Sequence, residues 1–173
     1  MILSDSIFKY FPELKNTEIQ AFGGLTSERL LWKIRHGYFK LNEFCNIIIH
    51  VGTNDIFSIT SDNYRININA VIQEIRAINS SCRIILSSIL PRPVDFKDSD
   101  NSVRHFNLKL YEMSVSGLSK VTYMASYKSF YDRFNRPIFP LFHKTDKLHL
   151  NHAGIQKFVH FIANTLAHVN QNC

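Results

Sequence analysis

Two short runs of mostly β-branched, apolar residues restrict the folds open to this chain more than any other feature. One covers residues 45–51 and the other covers residues 83–89. Both are apolar on each of the two faces that a strand presents, which is typical of central parallel strands covered by helices. Weaker runs at residues 19–22 and 121–125 predict two further strands.

Helical patterns separate these runs, because apolar residues recur at three- and four-residue intervals in four stretches. Thr26 or Ser27 is a candidate N-cap for the first stretch. Ser99 or Asp100 is a candidate N-cap for the third stretch. Alternating strands and helices predict right-handed βαβ units, an open parallel sheet with helices on both faces, and ligand binding at the carboxyl ends of the strands. The positions predicted to face the core are Leu30, Leu31, Ile34, Tyr64, Ile68, Val71, Ile72, Ile75, Ile78, Val103, Phe106, Leu110, Met113 and, in a last helix from about His152, Ile155, Phe158, Val159, Ile162 and Leu166.

The composition is that of one globular domain, with 173 residues, 45% hydrophobic and 20% charged. The net charge of +6 favours acidic partners such as nucleic acid or an anionic membrane, and it fits an ordinary basic surface equally well. The three cysteines, Cys45, Cys82 and Cys173, lack the spacing of a metal site, and their odd number argues against a disulfide framework. We therefore expect buried free thiols at Cys45 and Cys82 and a reducing compartment.

Four short strings together supply the parts of an acyl-transfer site: a hydroxyl nucleophile, a backbone donor, a side-chain amide donor and an acid-oriented imidazole. Each has an ordinary explanation alone, as a loop serine, a turn or a surface histidine. Their order along an α/β pattern supports a common site. The strings are Ser4-Asp5-Ser6, Gly23-Gly24, Gly52-Thr53-Asn54-Asp55 and Asp146-Lys147-Leu148-His149.

The four strings resemble the sequence blocks of the SGNH (GDSL-type) hydrolase superfamily, which contains esterases, lipases, deacetylases and acyltransferases. The resemblance extends from Ser4 to His149, and its specific blocks are Gly-x-Asn-Asp and Asp-x-x-His. Ser4 stands where the family has glycine. The resemblance implies an α/β fold, namely a three-layer α/β/α sandwich with a central parallel, flavodoxin-like sheet, and it implies no cofactor and no metal.

The same resemblance implies the roles of individual residues. Ser6 is the nucleophile, His149 is the base that takes its proton, and Asp146 orients the imidazole. The oxyanion hole consists of the backbone N–H of Ser6, the backbone N–H of Gly24 and the side-chain amide of Asn54.

Some assignments around this site stay open or secondary. Gly23 could replace Gly24 as a donor, and we prefer Gly24 because residues 25–27 then lead straight into a helix. Asp5 and Asp55 are expected to orient the loops. A zinc site is the competing use of the histidines near residues 143–152, but no Glu or Cys joins them at ligand spacing. The remaining histidines are expected to be structural or solvated: His50, His105, His160 and His168.

Residues 127–147 are rich in aromatic and basic side chains and lead into the fourth string. They could form a lip for acyl chains or an anionic bilayer, a surface for single-stranded nucleic acid, or a long loop whose aromatics pack on the sheet, and we favour the last. The loop at residues 91–96 is expected to form another wall of the site. The aromatic and basic residues concerned are Phe130, Tyr131, Phe134, Phe139, Phe142, Lys128, Arg133, Arg136, Lys144 and Lys147.

Within the superfamily, residues 49–55, 86–92 and 146–151 resemble the esterase domain in the first open-reading-frame protein of LINE-type retrotransposons. This resemblance implies a single esterase domain over residues 1–173 that is excised from a longer polypeptide, and the short stretch before Ser4 fits that interpretation. It also implies a cytoplasmic ribonucleoprotein particle, RNA bound through the parent polypeptide, and work at membranes. The oligomeric state is left open.

We therefore expect a serine esterase that acts on acyl esters of small molecules or lipids. A hydrolase-fold module that binds nucleic acid or membrane without efficient catalysis is the rival interpretation. An O-acyltransferase that uses the same site for another acceptor is a third.

Overall fold

A computed structural model describes residues 1–171 of the chain, and Cys173 lies outside the described residues. The strands are β1 (Ile2–Ser4), β2 (Ile19–Ala21), β3 (Asn46–His50), β4 (Arg83–Ser87) and β5 (Val121–Met124). The helices are α1 (Ser27–Arg35), α2 (Ser61–Ile78), α3 (Phe96–Val115) and α4 (His152–Gln171). Short 3₁₀ turns occur at Ser6–Phe8, Leu41–Glu43, Pro93–Asp95, Ser126–Phe130 and Phe139–Leu141.

The five strands form one parallel sheet in the order β2-β1-β3-β4-β5. The predicted α/β class, with a central parallel sheet and helices on both faces, is confirmed. β1 has only three residues, yet it pairs with β2 on one side and β3 on the other. The strand order reverses between β1 and β3, so a ligand crevice is expected at the carboxyl ends of these two strands.

The handedness of the crossovers explains which helix covers which face. The connections through α1, α2 and α3 progress towards β5, whereas the connection from β1 to β2 runs the opposite way. Because crossovers are right-handed, opposite directions place the connecting segments on opposite faces of the sheet. The turn Ser6–Phe8 therefore shares its face with α4, which follows the last strand.

The two hydrophobic cores follow this division. One contains Leu3, Ile47, Ile49 and Leu86 of the sheet together with the inward faces of α1, α2 and α3. The other contains the alternate strand residues, with Phe8, Phe130, Phe142 and Phe158 packed against them. Successive side chains of β3 point to opposite faces of the sheet, as they do in any strand. Each face of the sheet is therefore buried under its own layer of connecting segments.

Three expectations about local structure are wrong. Ile78, predicted to face the core, is 45% exposed at the last position of α2. α3 begins at Phe96 instead of at a cap at Ser99 or Asp100, because the turn Pro93–Asp95 leads directly into the helix. Cys45 is exposed because it lies one residue before β3, in which burial starts only at Ile47, whereas Cys82 is buried as expected. In the part of the chain that the structure describes, no helix has the length and apolar character needed to cross a membrane.

Candidate active site

The four strings lie at the positions that the sequence predicts for a common site. Ser6 follows β1, Gly24 follows β2, and Asn54 follows β3, so all three come after carboxyl ends of neighbouring parallel strands. The fourth string, residues 146–149, directly precedes α4 on the face that also carries Ser6.

A continuous hydrogen-bonded chain links Ser6, His149 and Asp146. The Ser6 Oγ atom lies 2.9 Å from His149 Nε2, although the two residues are 143 positions apart. The other ring nitrogen, Nδ1, lies 3.0 Å from Asp146 Oδ2. Carboxylate, imidazole and hydroxyl are therefore in the order that proton transfer from a serine requires.

The turn at residues 146–149 holds its own carboxylate in place. Asp146 Oδ1 accepts hydrogen bonds from the backbone N–H groups of Leu148 and His149, at 2.9 and 3.0 Å. Desolvation opposes ionisation, but these bonds and the contact with the His149 ring outweigh it and hold the pKa of Asp146 below its ordinary value. The carboxylate is therefore ionised when it meets the imidazole.

Asp5 supports the turn that carries Ser6. Its carboxylate is buried and accepts a hydrogen bond from the backbone N–H of Ile7 at 3.0 Å, which caps the 3₁₀ turn beginning at Ser6. Burial raises the pKa of Asp5 to about 7, against the opposing effect of the Ile7 N–H. Asp5 thus has the orienting position that the sequence suggested.

Asn54 is tied to the loop that carries Gly24. Its side-chain nitrogen donates to the Leu25 carbonyl oxygen at 3.0 Å, so one amide hydrogen fixes the side chain and the other can face a bound group. Gly24 has a φ of +66°, a left-handed conformation that glycine adopts without strain. The loops after β2 and β3 are therefore adjacent at the head of α1.

Asp55 fixes the start of α1 against the loop after β3. It accepts from the backbone N–H of Ser27 at 3.0 Å and from the Ser27 hydroxyl at 2.6 Å. A buried carboxylate at a helix N-terminus is stabilised by the N–H groups there. Burial raises the pKa of Asp55, and the Ser27 hydrogen bonds oppose that rise.

Glycine is required at position 52 both by the backbone conformation and by the neighbouring side chains. Its φ is +130°, and a Cβ atom at this position would lie 2.4 Å from the Ile89 Cδ1 atom and 3.0 Å from the Tyr64 hydroxyl. The string after β3 therefore passes close to α2 and to the segment that follows β4.

Arg92 is a residue of the site whose role the sequence did not indicate. Its guanidinium binds both Asp95 oxygens, with distances of 2.6–3.2 Å, and donates to the Thr53 carbonyl oxygen at 3.0 Å. Two residues later, the Val94 N–H donates to the Lys147 carbonyl oxygen at 2.9 Å. The segment 92–95 therefore connects the loop of Asn54 to the loop of His149. The one sequence signal for this role was an arginine three residues before an aspartate, in a loop that follows a strand.

The other histidines have different environments. His50 is buried, its Nδ1 atom lies 2.9 Å from the Ser87 hydroxyl, and burial lowers its pKa to about 3, so it is a neutral core residue. His105, His160 and His168 are exposed. Among residues 1–171, no cluster of three or more His, Cys, Asp or Glu side chains could hold a metal ion.

The aromatic residues of segment 127–147 are divided between the core and the surface. Phe130 and Phe142 are buried against the sheet, as the favoured interpretation predicts. Phe134 and Phe139 are more than half exposed, which that interpretation does not predict.

A groove of about 550 Å³ lies beside the first turns of α4. It lies between Tyr10 and Pro12 on one side and the exposed face of α4, from His152 to Ala163, on the other. The Tyr10 ring also meets the His149 ring, with centroids 6.2 Å apart. Tyr10 is therefore shared between this groove and the surroundings of His149, although neither Ser6 nor His149 lines the groove.

Comparison with known families agrees with this geometry. A family profile described as the GDSL-like Lipase/Acylhydrolase family matches residues 8–157, which include Asn54, Asp146 and His149 and begin just after Ser6. The chain belongs to this family. A search of curated proteins found no match.

Solved structures share the fold of this GDSL-like acylhydrolase. A GDSL-like lipase from Bacteroides thetaiotaomicron superposes with a TM-score of 0.79 at 20% identity, over 97% of this chain and 87% of that one. A carbohydrate esterase of family 3 from Talaromyces cellulolyticus gives 0.71 at 15% identity, over 100% and 98%. The esterase domain of the ORF1 protein from a zebrafish retrotransposon gives 0.53 at 20% identity, over 96% of each chain. At these identities the structural similarity supports the fold alone, and any statement about the reaction has to be argued from the geometry of the site.

Proposed function

We propose that this GDSL-like chain is a serine esterase that hydrolyses carboxylic esters, with short acyl groups as the simplest substrates. The observation that carries the proposal is the unbroken contact from Ser6 through His149 to Asp146. A serine hydroxyl becomes a nucleophile only when a base takes its proton, and the His149 ring is within reach to do so.

In the first step Ser6 Oγ attacks the ester carbonyl carbon while its proton passes to His149 Nε2. Asp146 accepts a hydrogen bond from Nδ1, fixes the tautomer and stabilises the imidazolium. The tetrahedral intermediate collapses when His149 returns the proton to the leaving alcohol, which leaves an acyl group on Ser6. A water molecule then repeats the sequence, releases the carboxylic acid and restores the hydroxyl.

The negative charge of each intermediate needs donors that are already in position. We assign this role to the backbone N–H of Ser6, the backbone N–H of Gly24 and the side chain of Asn54. The bond from Asn54 to Leu25 supports the assignment, since it brings the amide beside the residue that follows Gly24. Loss of one such donor typically costs about 3–4 kcal/mol of barrier.

Replacement of the nucleophile tests the proposal. Ser6→Ala should abolish turnover of a chromogenic acetyl ester and leave the circular dichroism spectrum unchanged. Ser80→Ala, at an exposed serine remote from these loops, is the matched control and should keep full turnover. A fluorophosphonate probe should modify Ser6 in the parent chain, and unchanged turnover in Ser6→Ala would falsify the assignment.

Acyl transfer to another hydroxyl uses the same acyl-enzyme and differs only in the acceptor. Adding alcohols to the acetyl-ester assay and measuring the new ester separates the two activities. Formation of acid as the main product supports hydrolysis, and a main product that retains the acyl group as an ester contradicts it.

A further inference from the structure

The groove beside α4 begins next to the His149 ring. Tyr10 lines the groove, and its ring meets the His149 ring edge-on, with centroids 6.2 Å apart. His152, another lining residue, begins α4 three positions after His149. The lining continues along the helix to Ala163, and because a helix rises about 1.5 Å per residue, the groove is about 16 Å long. It therefore leads away from His149 along the exposed face of the last helix.

The floor of this groove is apolar. Ile155, Val159 and Ala163 recur at four-residue intervals and so form one row on α4, while Pro12 lies on the opposite side. Ile155 and Val159 are only partly buried. The volume of about 550 Å³ is within the range of grooves that bind organic molecules. The row of side chains is therefore available to an apolar group about as long as the groove.

The polar side chains beside this row are engaged with one another. The His152 ring is hydrogen-bonded to the Gln156 side chain at 2.9 Å, and the His160 ring to the Asn164 side chain at 3.0 Å. Among the described residues, no Asp, Glu, Lys or Arg lines the groove. An ionic group would lose its water there without meeting an opposite charge, so the groove suits an uncharged group.

The direction of proton transfer decides which part of an ester points towards the groove. The carbonyl oxygen has to face the donors assigned at Gly24 and Asn54, whereas the leaving oxygen has to take its proton from His149 Nε2. The alcohol part of the ester therefore lies on the His149 side of Ser6, where Tyr10 and the groove begin.

We propose that the groove is the subsite for the leaving alcohol, and that it selects carboxylic esters of long, uncharged, apolar alcohols. This assignment rests on the proposed function. As Ser6 Oγ bonds to the acyl carbon, the bond from that carbon to the alcohol oxygen breaks, its electron pair stays on the oxygen, and His149 supplies the proton. An alkyl chain on the alcohol then covers the apolar row, and each methylene removed from water contributes about fourfold in affinity. Tyr10, between His149 and the groove, is a specificity-determining residue.

Two isomeric esters test this assignment. Octyl acetate and ethyl octanoate contain the same atoms and differ only in which side of the ester bond carries the long chain. With each ester dissolved as monomers and acid release measured at constant pH, kcat/KM for octyl acetate should be at least about tenfold above the values for ethyl octanoate and ethyl acetate. Equal values for the two isomers, or a preference for ethyl octanoate, would overturn the assignment.

Filling the groove should remove the preference. Val159→Trp should lower the ratio of kcat/KM for octyl acetate to that for ethyl acetate about tenfold, because the indole occupies the space of several methylenes. Val115→Trp is the matched control, at a valine that is 62% exposed at the last position of α3, and it should keep the parent ratio. An unchanged ratio in Val159→Trp, or an equal loss in Val115→Trp, would contradict the subsite.

Tyr10→Ala gives a second measurement that does not depend on packing a larger side chain. Tyr10 is 58% exposed, so the circular dichroism spectrum should match that of the parent chain. The octyl-to-ethyl ratio should fall about fourfold or more, since the ring covers the start of the alkyl chain. Tyr38→Ala, at a tyrosine that is 54% exposed beyond α1, should keep the ratio. A ratio that Tyr10→Ala leaves unchanged would remove Tyr10 from the subsite and break the path from His149 to the groove.

Binding of the alcohol alone separates the subsite from the esterase activity. Octanol added to isotope-labelled Ser6→Ala should shift the methyl resonances of Ile155 and Val159 in nuclear magnetic resonance spectra and leave that of Val115 in place. These shifts, combined with no hydrolysis of any ester by the parent chain, would overturn the esterase proposal and leave an alcohol-binding groove. The absence of shifts, or equal shifts at Val115, would overturn the subsite whether or not the esters are hydrolysed.

Discussion

At the residue scale, Asp5 has an environment that costs stability although it takes no part in the proposed chemistry. Burial raises the pKa of its carboxyl from 3.8 to about 7. Between these values the unfolded chain has released the proton and the folded chain has kept it. The free energy of unfolding therefore falls as the pH rises through this window, and it stays at the lower level above about 7. His50 acts in the opposite sense, since its lowered pKa makes the fold lose stability as the pH falls from 6.5 to about 3.

Asp5→Asn isolates the first of these contributions. An asparagine oxygen can still accept from the Ile7 N–H, and the side chain no longer titrates. The fall in unfolding free energy between pH 3.8 and about 7, up to about 4 kcal/mol for a shift of this size, should be reduced or removed. Urea unfolding of both chains across this window measures it. Asp98→Asn, at an exposed position on α3, is the control, and a slope that persists in Asp5→Asn would show that another group is responsible.

At the scale of elements, the segment 92–95 determines how two loops of the site meet. The Arg92 guanidinium donates a hydrogen bond to the Thr53 carbonyl oxygen, and the Val94 backbone N–H donates one to the Lys147 carbonyl oxygen. Asn54 and His149 are each within two residues of these contacts. A displacement of about 1 Å in a catalytic group can cost about a hundredfold in rate. We therefore propose that Arg92 positions the loop of Asn54 directly, and the loop of His149 through the segment 92–95.

Arg92→Met should therefore lower kcat for a soluble ester by about tenfold to a hundredfold, with a smaller change in KM. Arg92→Lys should recover little, because an ammonium group cannot reproduce the two-pronged contact with Asp95. Arg35→Met removes a comparable arginine–carboxylate contact, with Glu74, far from these loops and serves as the control. A change in KM alone would instead assign Arg92 to substrate binding.

The same segment shows what the sequence could predict. The strands around Ile48 and Ile85 and the inward faces of the helices follow from local periodicity, and the order of the four strings was enough to predict that Ser6 and His149 meet. The role of Arg92 could not be predicted, because its acceptor at Thr53 is 39 positions away and depends on β3 lying beside β4. The start of α3 was missed because the Asp95 carboxylate binds Arg92 and makes no helix cap.

At the scale of the whole molecule, an aromatic cluster joins the two distant parts of the site. Phe158 of α4 packs against Phe8 and Phe11, with ring centroids 5.2 and 5.8 Å apart. Phe8 closes the turn that begins at Ser6, and α4 begins three residues after His149. Packing of these rings therefore supports the contact between Ser6 and His149.

Phe158→Ala should lower the free energy of unfolding by about 3–5 kcal/mol, as is typical for removal of a buried phenylalanine. Ester hydrolysis and the far-ultraviolet circular dichroism should be lost in one urea transition, which moves to lower urea in the variant. Leu108→Ala, at a half-exposed position, should leave the transition nearly in place. Loss of activity at clearly lower urea concentrations than loss of the circular dichroism signal would mean that the turn at Ser6 separates from α4 while the rest of the chain stays folded.

The separation of Ser6 and His149 by 143 residues has a consequence for synthesis. A ribosome adds Ser6 to the chain 143 residues before it adds His149. On the proposed function, the Ser6 hydroxyl is an ordinary alcohol until His149 is in place, and a fragment cut between the two residues should hydrolyse no ester. Ester hydrolysis should therefore begin only after α4 has packed against the turn at Ser6.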